Sequence, residues 1–158
     1  MWKKIKPYII AIAIPLGVGG LSALLTMGNM DIYNEVNTPP LSPPSILFPI
    51  VWTILYVLMG ISAAMISAHQ EENIQEAQMG LRAYSVSLFF NFWWSILFFN
   101  FKWFGFAFFW LLVLLFFIIK TIVSYFKVNK LAAYLQIPYA FWVAFAGYLN
   151  FGIWMLNM

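Results

Sequence analysis

Cysteine is absent from this sequence of 158 residues. A disulfide framework, a thiolate metal site, an iron–sulfur cluster and a cysteine nucleophile are therefore excluded. Charge is also scarce, because 8% of the residues are charged against roughly 25% in a soluble globular domain. So few polar side chains cannot cover a compact soluble fold of this size. The composition predicts a protein whose solvent is the lipid bilayer.

Apolar and aromatic residues make up most of what is present, at 64% and 21% of the chain. Such a composition excludes intrinsic disorder. The net charge of +3 comes mainly from residues outside the apolar runs and is too small to form a basic surface for nucleic acid. No nucleic-acid partner is therefore predicted.

Five apolar runs have about the 20 residues that a transmembrane helix needs. They are continuous, whereas barrel strands would be about ten residues long and alternate polar with apolar residues. We predict an all-α polytopic membrane protein, a single domain over residues 1–158 built as a bundle of five transmembrane helices. The spans lie at about 8–27, 46–68, 83–101, 103–126 and 131–156, the fourth reaching Ile119 or beyond.

The first apolar run also has features of a signal peptide. Three lysines precede it, and Ala11-Ile12-Ala13 imitates a cleavage motif. That motif comes too early, because the apolar stretch continues for another dozen residues. A retained first span is favoured, and four further spans make the protein integral to the membrane in either case.

The orientation follows from the excess of Lys and Arg on the cytoplasmic side of membrane proteins. With the N-terminus inside, Lys102 is the one cation outside, and seven lie inside. These seven are Lys3, Lys4, Lys6, Arg82, Lys120, Lys127 and Lys130. We predict a cytoplasmic N-terminus, an external C-terminus and insertion in a bacterial inner membrane, with an outer membrane as the alternative.

The connections differ in length and character. The first, residues 28–45, contains the proline-rich segment Thr38–Pro44, which cannot continue a helix and is predicted to form a stiff cap over one end of the bundle. The second, residues 70–80, is predicted to be a solvated turn. The third, around Lys102, is so short that spans three and four must be tight antiparallel neighbours.

Ionisable groups, which mark functional sites inside membranes, are essentially absent from the five spans. Lys120 lies near a span end, where its long side chain can reach the interface. His69 is the one histidine, so no metal site is predicted. Neither a proton relay nor a hydrolytic centre is expected, and five spans without an internal repeat disfavour a repeat-based transporter.

Aromatic side chains with a few uncharged polar groups recur instead on single helix faces. An aromatic cavity with sparse hydrogen-bonding groups suits a flat, largely apolar ligand. Helix packing and interfacial anchoring are the alternative for any single Trp, whereas Asn91 lies midway along its span and needs a partner there. The sets are Trp52 with Tyr56, Asn91 with Trp94 and Ser95, and Trp142 with Phe145, Ala146, Leu149 and Asn150.

Small residues line one edge of the second span, at Gly60, Ala64 and Ala68. Gly19 and Ala23 lie similarly in the first span. Such spacing allows close helix approach, either within the protomer or in a dimer.

The pattern resembles the translocator protein family, also called TspO, tryptophan-rich sensory proteins or peripheral-type benzodiazepine receptors. The similarity covers nearly the whole chain, and the chain resembles the bacterial members of the family. It is carried by Ile14-Pro15 and Gly19-Gly20, by Phe48–Tyr56 after the proline-rich loop, by Met59-Gly60, by Asn91, Trp94 and Phe98-Phe99, and by Pro138-Tyr139, Trp142, Phe145-Ala146, Leu149-Asn150 and Trp154.

The resemblance implies a homodimeric five-helix bundle with a pocket beneath the first loop. Family members bind porphyrins, haem, isoquinoline carboxamides and benzodiazepines, and bacterial members are reported to degrade protoporphyrin IX in light. Trp52 and Trp142 would act in that photochemistry, with no cofactor required beyond the porphyrin as ligand or substrate. The implied ligand-binding residues are Tyr33, Trp52, Asn91, Trp94, Trp142 and Ala146.

The family's cholesterol-recognition segment is broken in this chain. It needs an aromatic hydroxyl followed by a basic residue, and the corresponding positions are Phe151 and Met155. A formal match at Val123–Lys127 belongs to a pattern that is easily met by accident. Sterol import is therefore not expected.

The leading hypothesis is a porphyrin-binding membrane receptor that supports light-dependent porphyrin degradation. One alternative is a passive transporter or exporter of porphyrins or lipidic molecules, for which the spans lack a coupling group. The other is a membrane scaffold, whose small-residue faces would bind partner proteins.

Overall fold

The computed structural model describes residues 2–29 and 31–158. Within them helix is the only regular secondary structure, as the composition predicts. A 3-10 turn follows the first helix (Met27–Asn29), another precedes the fourth (Gln70–Glu72), and a π-helical turn (Ile96–Asn100) extends the fourth. The α-helices are α1 (Trp2–Thr26), α2 (Ile32–Glu35), α3 (Leu47–Ala68), α4 (Ile74–Ser95), α5 (Phe104–Phe126) and α6 (Lys130–Leu156).

Four helical segments are long and apolar enough to cross a membrane. They are Trp2–Asn29, Leu47–Ala68, Phe104–Phe126 and Lys130–Leu156. The shortest has 22 residues, and at about 1.5 Å per residue it exceeds the roughly 30 Å hydrocarbon core. The chain is an integral membrane protein. The fifth long helix, α4, carries Glu76 and Arg82 in its first half, which lowers its apolar content.

Helix α4 begins before its apolar run, so the prediction of a solvated turn over residues 70–80 is wrong in its second half. The Asn73 side chain caps the helix by accepting a hydrogen bond from the Glu76 backbone N–H at 3.4 Å. Ala77 and Gly80 are buried, and a Cβ on Gly80 would lie 2.7 Å from the Tyr125 ring. The first part of α4 packs against α5, and this contact stabilises a helix over residues for which hydropathy indicates a loop.

The five long helices form a closed ring. Helix α1 packs on α3, α3 on α6, α6 on α5, α5 on α4, and α4 returns to α1. The α4–α5 contact is extensive, as the short connection around Lys102 predicts. At the α1–α3 contact, a Cβ on Gly60 would lie 2.7 Å from the Ala11 carbonyl oxygen. This small residue therefore serves close packing within the protomer.

The proline-rich segment folds over one end of the ring, as predicted, and we call residues 31–45 the lid. The Tyr148 hydroxyl of α6 donates a hydrogen bond to the Pro40 carbonyl oxygen at 2.6 Å. Asn157 accepts from the Asn37 backbone N–H at 3.1 Å and donates from Nδ2 to the Asn37 carbonyl oxygen at 2.9 Å. These bonds hold the lid against the end of α6.

Candidate functional site

A cavity of about 480 Å³ lies beneath the lid. Its walls come from α1, α3, α6 and the end of α4, and the lid covers it. The first loop of the sequence and the aromatic faces of three helices therefore meet at one place.

Five of the six predicted ligand-binding residues line this cavity. They are Tyr33 from the lid, Trp52 from α3, Trp94 from α4, and Trp142 and Ala146 from α6. Each aromatic ring among them is partly exposed. The three tryptophans come from three different helices, so only the folded ring of helices brings them to one space.

The sixth residue, Asn91, lies behind the cavity wall. It is 3% exposed and is not among the lining residues. Its side-chain oxygen accepts a hydrogen bond from the Tyr56 hydroxyl at 3.2 Å, and its Nδ2 donates to the Tyr139 hydroxyl at 3.1 Å. The partner that Asn91 requires is thus supplied by two tyrosines, and Tyr56 stands between Asn91 and the cavity.

Aromatic contacts give the cavity a stiff inner wall. The Trp52 ring stacks on Tyr56 with centroids 5.5 Å apart and an interplanar angle of 26°. Trp52 also meets Tyr139 edge to face at 6.2 Å. Offset stacking and edge contacts are the preferred aromatic geometries. The contacts with Tyr56 and Tyr139 therefore hold the Trp52 ring in place at the cavity surface.

A second aromatic row connects the lid to α6. Tyr33 meets Phe48 edge to face at 5.0 Å, and Phe48 meets Trp142 at 5.8 Å. The Tyr33 hydroxyl donates to the Pro43 carbonyl oxygen at 2.7 Å. Burial raises the pKa of the Tyr33 phenol above its ordinary value of 10.0.

Two indole N–H groups at the cavity have different environments. Trp94 Nε1 donates to Asn150 Oδ1 at 2.9 Å, and Asn150 Nδ2 donates in turn to the Phe104 carbonyl oxygen at 2.8 Å. Trp142 Nε1 is buried and has no hydrogen-bond partner among the described residues. An unpartnered buried donor is costly, and this N–H is covered by protein atoms, so it is other atoms of Trp142 that line the cavity.

Some lining residues were not among the predicted site residues. Phe48 lies inside the motif Phe48–Tyr56, and its spacing of four residues from Trp52 on α3 is a usable signal, whereas Tyr56 already belongs to the aromatic set that the sequence singles out. Ser22 and Thr26 of α1 and Asp31 of the lid also line the cavity. They carry no comparable sequence signal, because only the tertiary packing of α1 and the lid brings them there.

Comparison with known proteins identifies relatives over nearly the full chain. The model of the TspO/MBR family matches residues 11–155. The tryptophan-rich protein TspO of Chlorobaculum tepidum is 33% identical over 159 residues, covering 99% of each chain. The translocator protein of Bos taurus is 33% identical over 155 residues, or 96% of this chain and 92% of the relative. Protein CrtK of Rhodobacter capsulatus is 34% identical over 125 residues, or 79% and 78%.

Proposed function

The chain belongs to the TspO/MBR family, and on that premise we propose that it is a membrane receptor for porphyrins. Protoporphyrin IX, haem and isoquinoline carboxamide or benzodiazepine-type compounds are the ligands we assign to the cavity. The observation that carries this proposal is a cavity of about 480 Å³ with tryptophans from three helices. Its volume falls in the range of roughly 300–1,000 Å³ that small-molecule sites occupy.

The residues take distinct parts in this proposal. Trp52, held by Tyr56 and Tyr139, offers a ring for stacking on a flat macrocycle. Trp142 lines the cavity from α6 and offers aromatic surface for contact with the macrocycle. Asn91 supports the wall through Tyr56, so its contribution to binding is indirect.

We extend the proposal to light-dependent degradation of the bound porphyrin. Trp52 or Trp142 gives one electron to the photoexcited macrocycle, which leaves an indole radical cation and a porphyrin radical anion, and dissolved dioxygen is the oxidant for the breakdown of the ring that follows. This assignment is supported by the position of both side chains in the cavity lining. The protein itself then requires no further cofactor.

The experiment is a titration with protoporphyrin IX in darkness, followed by illumination. Porphyrin absorbance is the readout for binding and for pigment loss, because the variants change the tryptophan content. The test variant is Trp52→Phe with Trp142→Phe. The matched control is Trp93→Phe with Trp103→Phe, since these indoles are 38% and 55% exposed and do not line the cavity.

Saturable binding by the unaltered protein and the control supports the receptor. Pigment loss that is slowed in the test variant but not in the control supports the photochemical role. Equal pigment loss in both variants contradicts the tryptophan mechanism and leaves the receptor standing. Absence of saturable binding by the unaltered protein contradicts the receptor itself.

We further propose that α4 is a fifth membrane span. It completes the ring between α1 and α5, both of which are apolar enough to cross a membrane, and a gap there would open the core to lipid. With five spans the charge bias places the N-terminus in the cytoplasm. An inner-membrane location and a homodimer complete the proposal by resemblance to the family.

The two alternative functions receive less support. A passive transporter needs a route past the cavity, but Tyr56 forms the inner wall, and Met59, one turn further along α3, is fully buried. A scaffold would bind partner proteins through the edge of small residues on α3. At that edge, however, Gly60 already packs against α1 of the same protomer.

A further inference from the structure

The cavity is nearly without charge. Among the described lining residues Asp31 is the one acidic side chain, and there is no Lys or Arg. Asp31 is exposed on the lid at the start of α2. Within residues 2–29 and 31–158 its carboxylate forms no ion pair and its side chain does not cap α2. A ligand entering beneath the lid therefore meets one uncompensated negative charge.

The lid itself is also negatively charged. The lid contains Asp31 and Glu35 and no cation. Lys102, between α4 and α5, is the one cation on the connections at the lid end, and it does not line the cavity. The other cations lie toward the opposite helix ends, where Lys127 pairs with Glu76 at 3.3 Å. No described cation lines the cavity to pair with a carboxylate of a bound ligand.

We propose that Asp31 makes the cavity selective for ligand charge. It favours flat amphiphiles that are neutral or carry a cationic group, and it disfavours those with carboxylates near the mouth. This inference rests on the proposed receptor function and adds the charge class of its ligands. An exposed charge acts through a high dielectric and is screened by salt, so the preference is greatest at low ionic strength.

The cavity interior supports the same preference. Its lining holds no cation, and the hydroxyls of Ser22 and Thr26 already donate to the carbonyl oxygens of Phe92 and Ser22. Burying a carboxylate without a cationic partner is costly. A dicarboxylate porphyrin must therefore keep its carboxylates in water at the mouth, where Asp31 repels them.

The test compares three probes with the same macrocycle in a non-ionic detergent. They are protoporphyrin IX with its two carboxylates, its neutral dimethyl ester, and its bis-amide bearing tertiary amines. The proteins are the unaltered chain, Asp31→Asn, and Glu35→Gln as the matched control. Glu35 is also an exposed acid of the lid, but it does not line the cavity. Partition of each probe into detergent is common to all three proteins and cancels in their ratios.

We expect Asp31→Asn to tighten binding of the dicarboxylate by about three- to tenfold at low ionic strength and to weaken the amine by a similar factor. The ester should be unchanged, and the changes should shrink at high ionic strength. Glu35→Gln should shift each constant by less than about twofold.

Several results would overturn the inference. If Asp31→Asn changes none of the constants, or changes all three equally, there is no charge selection. An equal effect of Glu35→Gln would assign the selection to the total lid charge instead of Asp31. If no probe binds the unaltered protein saturably, the receptor function fails and the inference fails with it. Saturable binding without charge preference overturns the inference alone.

Discussion

The Tyr56 hydroxyl donates a hydrogen bond to the side-chain oxygen of Asn91 at 3.2 Å. Tyr56 faces the cavity, and Asn91 lies behind it. The same amide donates to Tyr139 at 3.1 Å, so one asparagine joins α3 and α6 through α4. The cavity wall is therefore supported by an asparagine that does not itself line the cavity.

Replacing Asn91 with Leu should lower stability more than it lowers affinity. The change leaves the hydroxyls of Tyr56 and Tyr139 without this partner, and a buried polar group without its bond costs about 1–3 kcal/mol. Thermal unfolding in detergent and porphyrin titration measure the two effects.

A companion variant separates wall support from direct ligand contact. Adding Tyr56→Phe to Asn91→Leu removes one of the orphaned hydroxyls and should recover part of the lost melting temperature. If Asn91→Leu abolishes binding while the melting temperature is unchanged, Asn91 contacts the ligand and the placement behind Tyr56 does not describe the bound state.

Replacing Gly152 with Ala should loosen the lid. A Cβ at this position would lie 2.5 Å from Pro39 Cγ, so the lid must move outward. If the packing of the lid on α6 is weakened by about 1 kcal/mol, the lid opens more often and ligand release should be about fivefold faster. Stopped-flow displacement measures the rate. Gly17→Ala is the control, because a Cβ there meets nothing within 4 Å; equal rates in the two variants would show that the lid does not limit release.

Replacing Gly60 with Ala should destabilise the protomer. The added Cβ would collide with the Ile12 backbone and lie 2.7 Å from the Ala11 carbonyl oxygen, and backbone cannot move aside without shifting α1. Overpacking of this kind costs about 1–3 kcal/mol. Thermal unfolding in detergent is the measurement. An unchanged melting temperature together with loss of a dimer on sizing would instead place Gly60 in an interface between copies.

The number of spans can be tested by where the two chain ends lie. The chain has no native cysteine, so Trp2→Cys and Met158→Cys each carry one thiol, at positions that are 64% and 84% exposed. Five spans put the ends on opposite sides. A membrane-impermeant maleimide should label Met158→Cys in cells with an accessible inner membrane and Trp2→Cys only after the membrane is opened. Labelling of both from one side would mean an even number of spans.

Much of the candidate site could be predicted from local patterns. Trp52, Trp94, Trp142 and Ala146 stand on helix faces whose period is visible in the sequence, and all four line the cavity. Tyr33 was found through family resemblance alone, since nothing local in the loop distinguishes it. Asn91 was identified correctly as a residue in need of a partner, but residue type and spacing do not tell whether that partner is a ligand or a tyrosine.

Composition alone determined the solvent and the fold class. With 8% charged residues and long apolar runs, the chain must bury its backbone polar groups within helices inside a bilayer. These are local and additive properties, so they can be read without knowing which helices touch.

Tertiary structure decided the rest, because the remaining properties depend on contacts between distant residues. The close packing of Gly80 on the Tyr125 ring accompanies the extension of α4 beyond its apolar run. The hydrogen bonds between Asn157 and Asn37 hold the lid at the end of α6. Asp31 joins the cavity lining, as the one charged residue among those described there, only because the lid folds over α1, α3, α4 and α6. Such pairings join residues far apart in the chain, and hydropathy and helical period carry no information about them.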